Sequence, residues 1–151
     1  MIGFLDSSVL VRAYLRDEPN HDAAHSAVFA GERPLLASEL ALLECDSAFR
    51  RGVRSGRITP ATGNALSELL AADLGDDGPV TALRSDLGRI VDRARVIVRD
   101  QPVRSLDALH LAVADLDGRR VAGDRGLTFV TAGPAQADAA TALGLIAELI
   151  D

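Results

Sequence analysis

The first fifteen residues read MIGFLDSSVLVRAYL, and this stretch decides the fold. Ile2 to Leu5 is a short apolar run of the kind found in buried strands, and Asp6-Ser7-Ser8 marks a change from strand to helix. An aspartate at the end of an apolar run is unexpected, because removing an unpaired carboxylate from water costs free energy. We therefore expect Asp6 to have a partner that compensates its charge.

A second isolated aspartate lies far along the chain. Asp107 stands within RSLDALHLA at residues 104–112, again among apolar side chains. The helical spacing of its neighbours predicts a helix in which Asp107 occupies the first turn, where the positive end of the helix dipole favours an anion. A divalent cation could compensate both Asp6 and Asp107 if the fold brings them together.

Strand patterns alternate with helical patterns over the rest of the chain. Further strands are predicted at 34–37, 80–83 and 127–131, with a closing apolar segment at 145–150. The intervening segments have helical periodicity or helix-capping residues. This alternation predicts a three-layer α/β/α domain over residues 1–151, with a central parallel sheet of four to five short strands.

A parallel sheet gives the acidic residues a common location. The functional crevice of such a sheet lies beyond the carboxyl ends of its strands, and Asp6 ends the first strand. Glu44 has mostly small or apolar neighbours three and four residues away on a predicted helix, so it is expected to point inward. Asp6, Glu44 and Asp107 together would offer carboxylate oxygens, which suit Mg²⁺ or Mn²⁺ better than zinc.

The charged composition excludes several mechanisms. All sixteen basic residues are arginines, so chemistry that depends on a lysine is excluded. The formal charge of −6 argues against binding of nucleic acid by the whole surface. Four arginines fall within residues 50–57, where they could bind phosphates or could simply end a solvated helix. A single cysteine and no long apolar segment predict a cytoplasmic protein without a membrane span.

Several motifs, in order, resemble the PIN-domain family, and most closely the VapC toxins of bacterial toxin–antitoxin systems. The matching segments are FLDSSVL at 4–10, ASELALLE at 37–44, RSLDALHLA at 104–112, FVT at 129–131 and AATALGL at 139–145. The first motif is common by itself. The third is more specific, and the order and spacing of all five make a chance resemblance improbable.

The resemblance implies a Mg²⁺-dependent endoribonuclease, with Mn²⁺ as a possible substitute, that acts as a toxin. Asp6 and Asp107 match the metal-binding aspartates of the family, and Glu44 matches its inner glutamate. The ion would activate a water molecule for in-line attack on RNA and leave a 5′-phosphate. The resemblance also implies a homodimer and a VapB-type antitoxin, whose apolar segment could pack on Leu10, Tyr14 and Leu15.

The sequence departs from the pattern of the family at the position of the fourth acid. If the fourth strand is 127–131, that position is occupied by Gly133. An alternative alignment makes 120–123 the strand and places Asp124 at its end. We prefer the first alignment, because Val121 is the only β-branched residue of the rival segment. The site would then have three acids, enough for one ion.

Each assignment has a simpler alternative. Asp6 could cap the following helix, and Asp107 could be an ordinary first-turn aspartate. Glu44 could pair with an arginine, and His110 is expected to be a packed core histidine. A rival function is a PIN fold without catalysis, which binds RNA or a protein.

Overall fold

Five strands and eight α-helices make up the fold in a computed structural model that describes all 151 residues, Met1 to Asp151. In chain order they are β1 (Ile2–Leu5), α1 (Ser7–Tyr14), α2 (His21–Phe29), β2 (Leu35–Ser38), α3 (Leu40–Arg54), α4 (Pro60–Asp73), β3 (Val80–Leu83), α5 (Leu87–Asp100), α6 (Ser105–Val113), α7 (Arg119–Ala122), β4 (Leu127–Thr131), α8 (Pro134–Ala142) and β5 (Ile146–Leu149). A π-helical turn, Ala114–Gly118, joins α6 to α7, and a 3₁₀ turn, Gly123–Arg125, precedes β4.

The five strands form one parallel sheet in the order β3-β2-β1-β4-β5. The central strand β1 pairs with β2 on one side and with β4 on the other, so that Leu5 lies opposite both Ala37 and Val130. The predicted parallel α/β fold is confirmed. The segment predicted only as apolar, 145–150, supplies the edge strand β5.

Helices cover both faces of the sheet. Alternate residues of β1 point to opposite faces, as in any strand. Leu5 packs in a core cluster with side chains of α1 to α4. Phe4 packs in a second cluster with side chains of α5, α6 and α8, and its ring stacks on that of Phe129 with 5.8 Å between centroids. The three-layer arrangement is therefore confirmed. None of the helices combines the length and apolar character that a membrane crossing requires.

Ion pairs join α5 to the turn after α6. Asp115 accepts hydrogen bonds from Arg93 at 2.8 Å and from Arg119 at 2.9 Å. Asp117 is 4 % exposed and pairs closely with Arg89, while Arg120 lies 3.7 Å away. Each aspartate of this arginine-paired cluster thus has two cationic neighbours, and these ion pairs were not predicted from the sequence.

Candidate active site

A cavity of about 430 Å³ opens at the carboxyl end of β1, next to the end of β4. It contains all three acids that the sequence analysis selected. Its lining comprises Asp6, Ser7, Ser8, Val11, Arg12, Glu18, Glu44, Arg51, Asp107, Gly133, Pro134, Ala135 and Gln136. The acids come from three separate elements: the residue after β1, the helix α3 and the first turn of α6. The fold brings them together across a sequence distance of about a hundred residues, as crossover connections in a parallel sheet do.

Asp6 is held by hydroxyl groups and has no cationic partner. Its side chain is buried, and its Oδ2 accepts hydrogen bonds from Ser8 at 2.6 Å and from Thr131 at 2.9 Å. The hydroxyl of Ser8 in turn accepts one from the backbone N–H of Ala132 at 3.0 Å, which ties β1 to the segment after β4. Asp6 occupies the position before α1, but its side chain makes no capping hydrogen bond. The capping alternative therefore does not account for its burial.

Glu44 is engaged by two other side chains. Ser7 donates a hydrogen bond to Glu44 Oε2 at 2.8 Å, and His110 Nε2 makes a close contact with Oε1. Burial acts to raise the pKa of Glu44, but the hydrogen bond and charge of His110, together with the Ser7 hydrogen bond, hold that pKa below its ordinary value. Glu44 thus points inward as predicted. Its ion-pair partner is a histidine and not the arginine considered from the sequence.

His110 is fully buried, as expected of a core histidine. Burial acts to lower its pKa, but the hydrogen bond to Glu44 and the nearby charges of Asp6, Glu44 and Asp107 raise the pKa above its usual value. Its other ring nitrogen, Nδ1, has no hydrogen-bond partner. The contact with Glu44 was not predicted, because the two residues lie on different helices.

Asp107 is half-buried and has no arginine partner. Burial raises the pKa of its carboxyl group, and the charges of Asp6 and Glu44 raise it further. A backbone hydrogen bond at Arg104 and the charge of His110 oppose this rise but do not cancel it. Asp6 and Asp107 therefore leave the cavity with negative charge that the side chains of the protein do not neutralise.

The negative charge of Asp6 and Asp107 raises the question of whether the cavity can hold a divalent cation. No group of three histidine, cysteine, aspartate or glutamate side chains is arranged to hold a metal ion, since Glu44 is turned to His110 and Ser7. Mg²⁺, however, is commonly held by only one or two carboxylates and keeps several of its waters. The Asp6 and Asp107 carboxylates fit an ion of that kind, whereas a closed protein-only site does not fit.

The position of the fourth acid is occupied by Gly133. The strand is Leu127–Thr131, as preferred from the sequence, and Gly133 lines the cavity two residues after it. The rival alignment is wrong: residues 119–122 are helical, and Asp124 is exposed in the 3₁₀ turn before β4. A Cβ added at Gly133 would meet Gln136 and Thr131 only at ordinary contact distances of 3.7 Å, and its φ of −104° suits any residue. The missing acid is therefore not excluded by space.

A larger groove of about 1000 Å³ runs between α1, α2 and α4. Tyr14, Phe29 and Leu69 contribute to its lining, and the Tyr14 hydroxyl donates a hydrogen bond to Asp73 at 2.5 Å. The expectation that Leu10 and Leu15 could receive a partner is wrong. Leu10 of α1 and Leu15, which directly follows α1, are both buried in the core with side chains of the sheet and of neighbouring helices.

Comparison with known proteins places these observations in a family. The model of the PIN domain matches residues 3–140. No curated protein matches the chain in sequence. Among solved structures, the chain is similar to VapBC2 from Rickettsia felis bound to a DNA fragment from its promoter, with a TM-score of 0.62 and 12 % sequence identity over 99 % of this chain and 98 % of that one. At this identity the likeness concerns the fold.

Proposed function

The chain belongs to the PIN domain family, and from this premise we propose that it is a divalent-metal-dependent endoribonuclease, the toxin of a type II toxin–antitoxin pair. The observation that carries the proposal is the uncompensated negative charge of Asp6 and Asp107 inside one cavity. A pair of carboxylates of which one is buried and the other half-buried is stabilised by a cation. The metal role of these residues is our proposal, and Glu44 is its third member because it lines the same cavity.

The proposed reaction is hydrolysis of an RNA phosphodiester. The oxygen of a water molecule bonds to phosphorus, the bond from phosphorus to the 3′ oxygen breaks, and the products carry a 5′-phosphate and a 3′-hydroxyl. The proton lost by the water is balanced by the proton that the 3′ oxygen gains. A bound Mg²⁺, or Mn²⁺ in its place, supplies charge stabilisation and makes a water more acidic.

The side chains around the acids position them for this role. Ser8 and Thr131 fix the carboxylate of Asp6 through its Oδ2, and Oδ1 has only a long 3.4 Å contact with Ser7. Oδ1 is therefore the oxygen of Asp6 that we propose for the cation. Ser7 and His110 hold the carboxylate of Glu44, so its charge stays fixed next to the pair.

We further propose a VapB-type antitoxin as the partner of this chain. The structural neighbour is a VapBC2 complex, and the groove between α1, α2 and α4, of about 1000 Å³, is larger than the acidic cavity. An apolar antitoxin segment in this groove could extend a charged group toward the acids. A cytoplasmic, homodimeric toxin made of one PIN-like domain over residues 1–151 remains our expectation.

The test is cleavage of a structured RNA by the purified chain in Mg²⁺, with Asp6→Asn and Asp107→Asn as the decisive variants. We expect each to lower the rate by about 10²–10³-fold, because each removes a fixed charge that acts in the transition state. Asp124→Asn is the matched control, since Asp124 is an exposed carboxylate outside the cavity. Chelation by EDTA should abolish cleavage. Undiminished cleavage in both decisive variants would contradict the assignment.

A second candidate is a PIN fold that binds RNA or a protein without cleaving it. Gly133 in place of an acid and the absence of a three-ligand group favour it. RNA binding by the wild-type chain, with no Mg²⁺- or Mn²⁺-dependent cleavage at any concentration tested, would decide for this alternative.

A further inference from the structure

Two arginines line the acidic cavity without pairing to its acids. Arg12 comes from the last turn of α1 and Arg51 from the last turn of α3. Neither guanidinium lies within 4.0 Å of a carboxylate oxygen. Arg12 Nη1 donates one long hydrogen bond of 3.4 Å to the carbonyl of Ile150, and Arg51 Nη1 donates one of 3.0 Å to the hydroxyl of Ser47. Since a guanidinium has five N–H donors, most donors of both residues are unused.

The acids that could have neutralised these arginines are already engaged or lie out of contact. Glu18 lines the same cavity, but its carboxylate accepts a hydrogen bond from Arg57 at 2.9 Å. Glu44 is held by Ser7 and His110, and Arg51 affects its pKa only as a weak charge at a distance. The cavity therefore presents unneutralised carboxylates and unneutralised guanidinium groups at the same time.

This arrangement suits a ligand that is itself anionic but approaches the carboxylates through a cation. A guanidinium binds a phosphate with two parallel hydrogen bonds, and Arg12 and Arg51 each have the donors to do so. A polynucleotide carries such phosphates at regular spacing, so one phosphate can lie at the acids while the next lies at the arginines. The position of both residues in last helical turns explains why a cation is favourable there, but not why both face this cavity.

We propose that Arg12 and Arg51 form a phosphate-binding subsite for the RNA linkage adjacent to the one that is cleaved. The inference rests on the proposed nuclease function and identifies how a chain of net charge −6 holds a polyanion at its acidic cavity. The two arginines are positioning residues: they hold the strand and do not contact the reacting phosphorus. It follows that the substrate needs a charged phosphate beside the scissile one.

The first experiment measures binding without cleavage. A fluorescein-labelled single-stranded RNA is titrated with the full chain in EDTA, and the dissociation constant is followed as a function of salt. We expect Arg12→Gln and Arg51→Gln each to weaken binding about tenfold and to reduce the magnitude of the salt slope by about 0.7, as loss of one phosphate contact does. Arg51→Lys should restore the salt slope but not the whole affinity, since lysine cannot bind in a bidentate manner.

Arg99→Gln is the matched control. Like Arg51, Arg99 is an exposed arginine in the last turn of a helix, here α5, and it does not line the cavity. It should leave both the affinity and the salt slope unchanged. Thermal melts of all variants verify that Arg12→Gln, which loses its contact with Ile150, remains folded.

The second experiment uses chemically neutralised substrates. Two RNA oligonucleotides carry a neutral methylphosphonate at the linkage immediately 5′ or immediately 3′ of the cleavage position. We expect one of the two to raise KM about tenfold for the wild type with little change in kcat, and to have no further effect on Arg12→Gln and Arg51→Gln.

The outcomes separate this subsite from the proposed function. RNA binding that depends on the two arginines, without cleavage, would support the phosphate-binding subsite and contradict the proposed nuclease function. Cleavage that responds to neither arginine nor to either methylphosphonate would overturn the subsite and leave the nuclease intact. Stronger dependence on the two arginines for a polyglutamate peptide than for RNA would also overturn it, because the occupant would then be an acidic peptide.

Discussion

The acidic cavity and the arginine-paired cluster contain the same kind of side chain in opposite electrostatic situations. Asp117 is buried, but the neighbouring Ser85 hydroxyl and the hydrogen bond and charge of Arg89 outweigh that burial and hold the pKa of the carboxyl group below its ordinary value. Asp107 is half-buried, and burial together with the charge of Asp6 holds its pKa above that value. The comparison teaches that burial alone does not identify a functional carboxylate. A buried acid with an arginine stabilises the fold, whereas a buried acid without one is available to an external cation.

The largest expected effect that separates the two regions is stabilisation by a divalent cation. Mn²⁺ at about a hundred times its dissociation constant should raise the unfolding free energy of the wild-type chain by about 2.7 kcal/mol. Asp107→Asn should lose this gain, because it removes one of the proposed carboxylate ligands. Asp117→Asn should retain it. Thermal unfolding with and without Mn²⁺ measures the gain in each variant. An equal gain in the wild type, Asp107→Asn and Asp117→Asn would show that the acidic cavity does not bind the cation through Asp107.

The next effect concerns stability in the absence of metal, where only one of the two substitutions should be destabilising. Asp117→Asn should lower the unfolding free energy by about 1–2 kcal/mol, since it removes charged hydrogen bonds that are partly exposed to solvent. Asp107→Asn should leave stability unchanged or raise it, because it relieves repulsion from Asp6. Urea unfolding in EDTA is the measurement. A marked loss of stability in Asp107→Asn would show that this carboxylate is structural after all.

A smaller effect is expected from adding the absent acid. Gly133→Asp should raise the affinity for Mn²⁺ about tenfold, equivalent to ~1.4 kcal/mol, because a further carboxylate joins the cavity and space is available for it. In EDTA the same variant should be less stable than Gly133→Asn, which has nearly the same size without the charge. Isothermal titration with Mn²⁺ distinguishes the two. Equal affinities in the aspartate and asparagine variants would place this position outside the metal's reach.

The smallest effect is the pH dependence of stability, and its sign differs between the two aspartates. The pKa of Asp107 is higher in the folded state than in the unfolded state, so the folded state binds more protons. The contribution of Asp107 to the unfolding free energy therefore falls as the pH rises from the unfolded pKa to the folded pKa. Asp117 has a lowered folded pKa, so its contribution is present above the unfolded pKa and is lost as pH falls through the folded one.

Unfolding free energies between about pH 3 and pH 6 in EDTA test this difference in sign. Relative to the wild type, Asp107→Asn should gain stability as pH rises. Asp117→Asn should lose stability over the same change. Parallel curves for the two variants would mean that the two carboxylates share one electrostatic environment.

Local patterns were sufficient to predict the sheet and the location of the acids. The β-branched and aromatic residues of 127–131 gave β4 its correct bounds, and the carboxyl-edge rule brought Asp6, Glu44 and Asp107 to one cavity. Both predictions depend on periodicity and on strand direction, which are properties of short segments. They required no knowledge of how helices pack against each other.

The partners of the acids were not predictable in the same way. The contact of Glu44 with His110 spans 66 residues, and the pair of Asp117 with Arg89 spans 28. Each depends on the packing of separate helices and on side-chain rotamers that a periodic pattern does not specify. Leu10 was misjudged for a related reason: an apolar residue on an early helix can face the core or a partner, and only the packing of α1 decides which.

The central position of β1 also has a consequence for the order in which the protein is made. The backbone N–H of Asp6 donates to the carbonyl of Val130 at 2.9 Å, and one of the two hydroxyls that fix its carboxylate belongs to Thr131, 125 residues later in the chain. During translation β1 is synthesised before β4, so Asp6 has neither its Val130 nor its Thr131 hydrogen bond until β4 has been made. A growing polypeptide of this protein therefore carries no completed acidic cavity while most of it is being synthesised. For the ribonuclease that we propose, the acidic cavity is thus completed only after β4 has been synthesised.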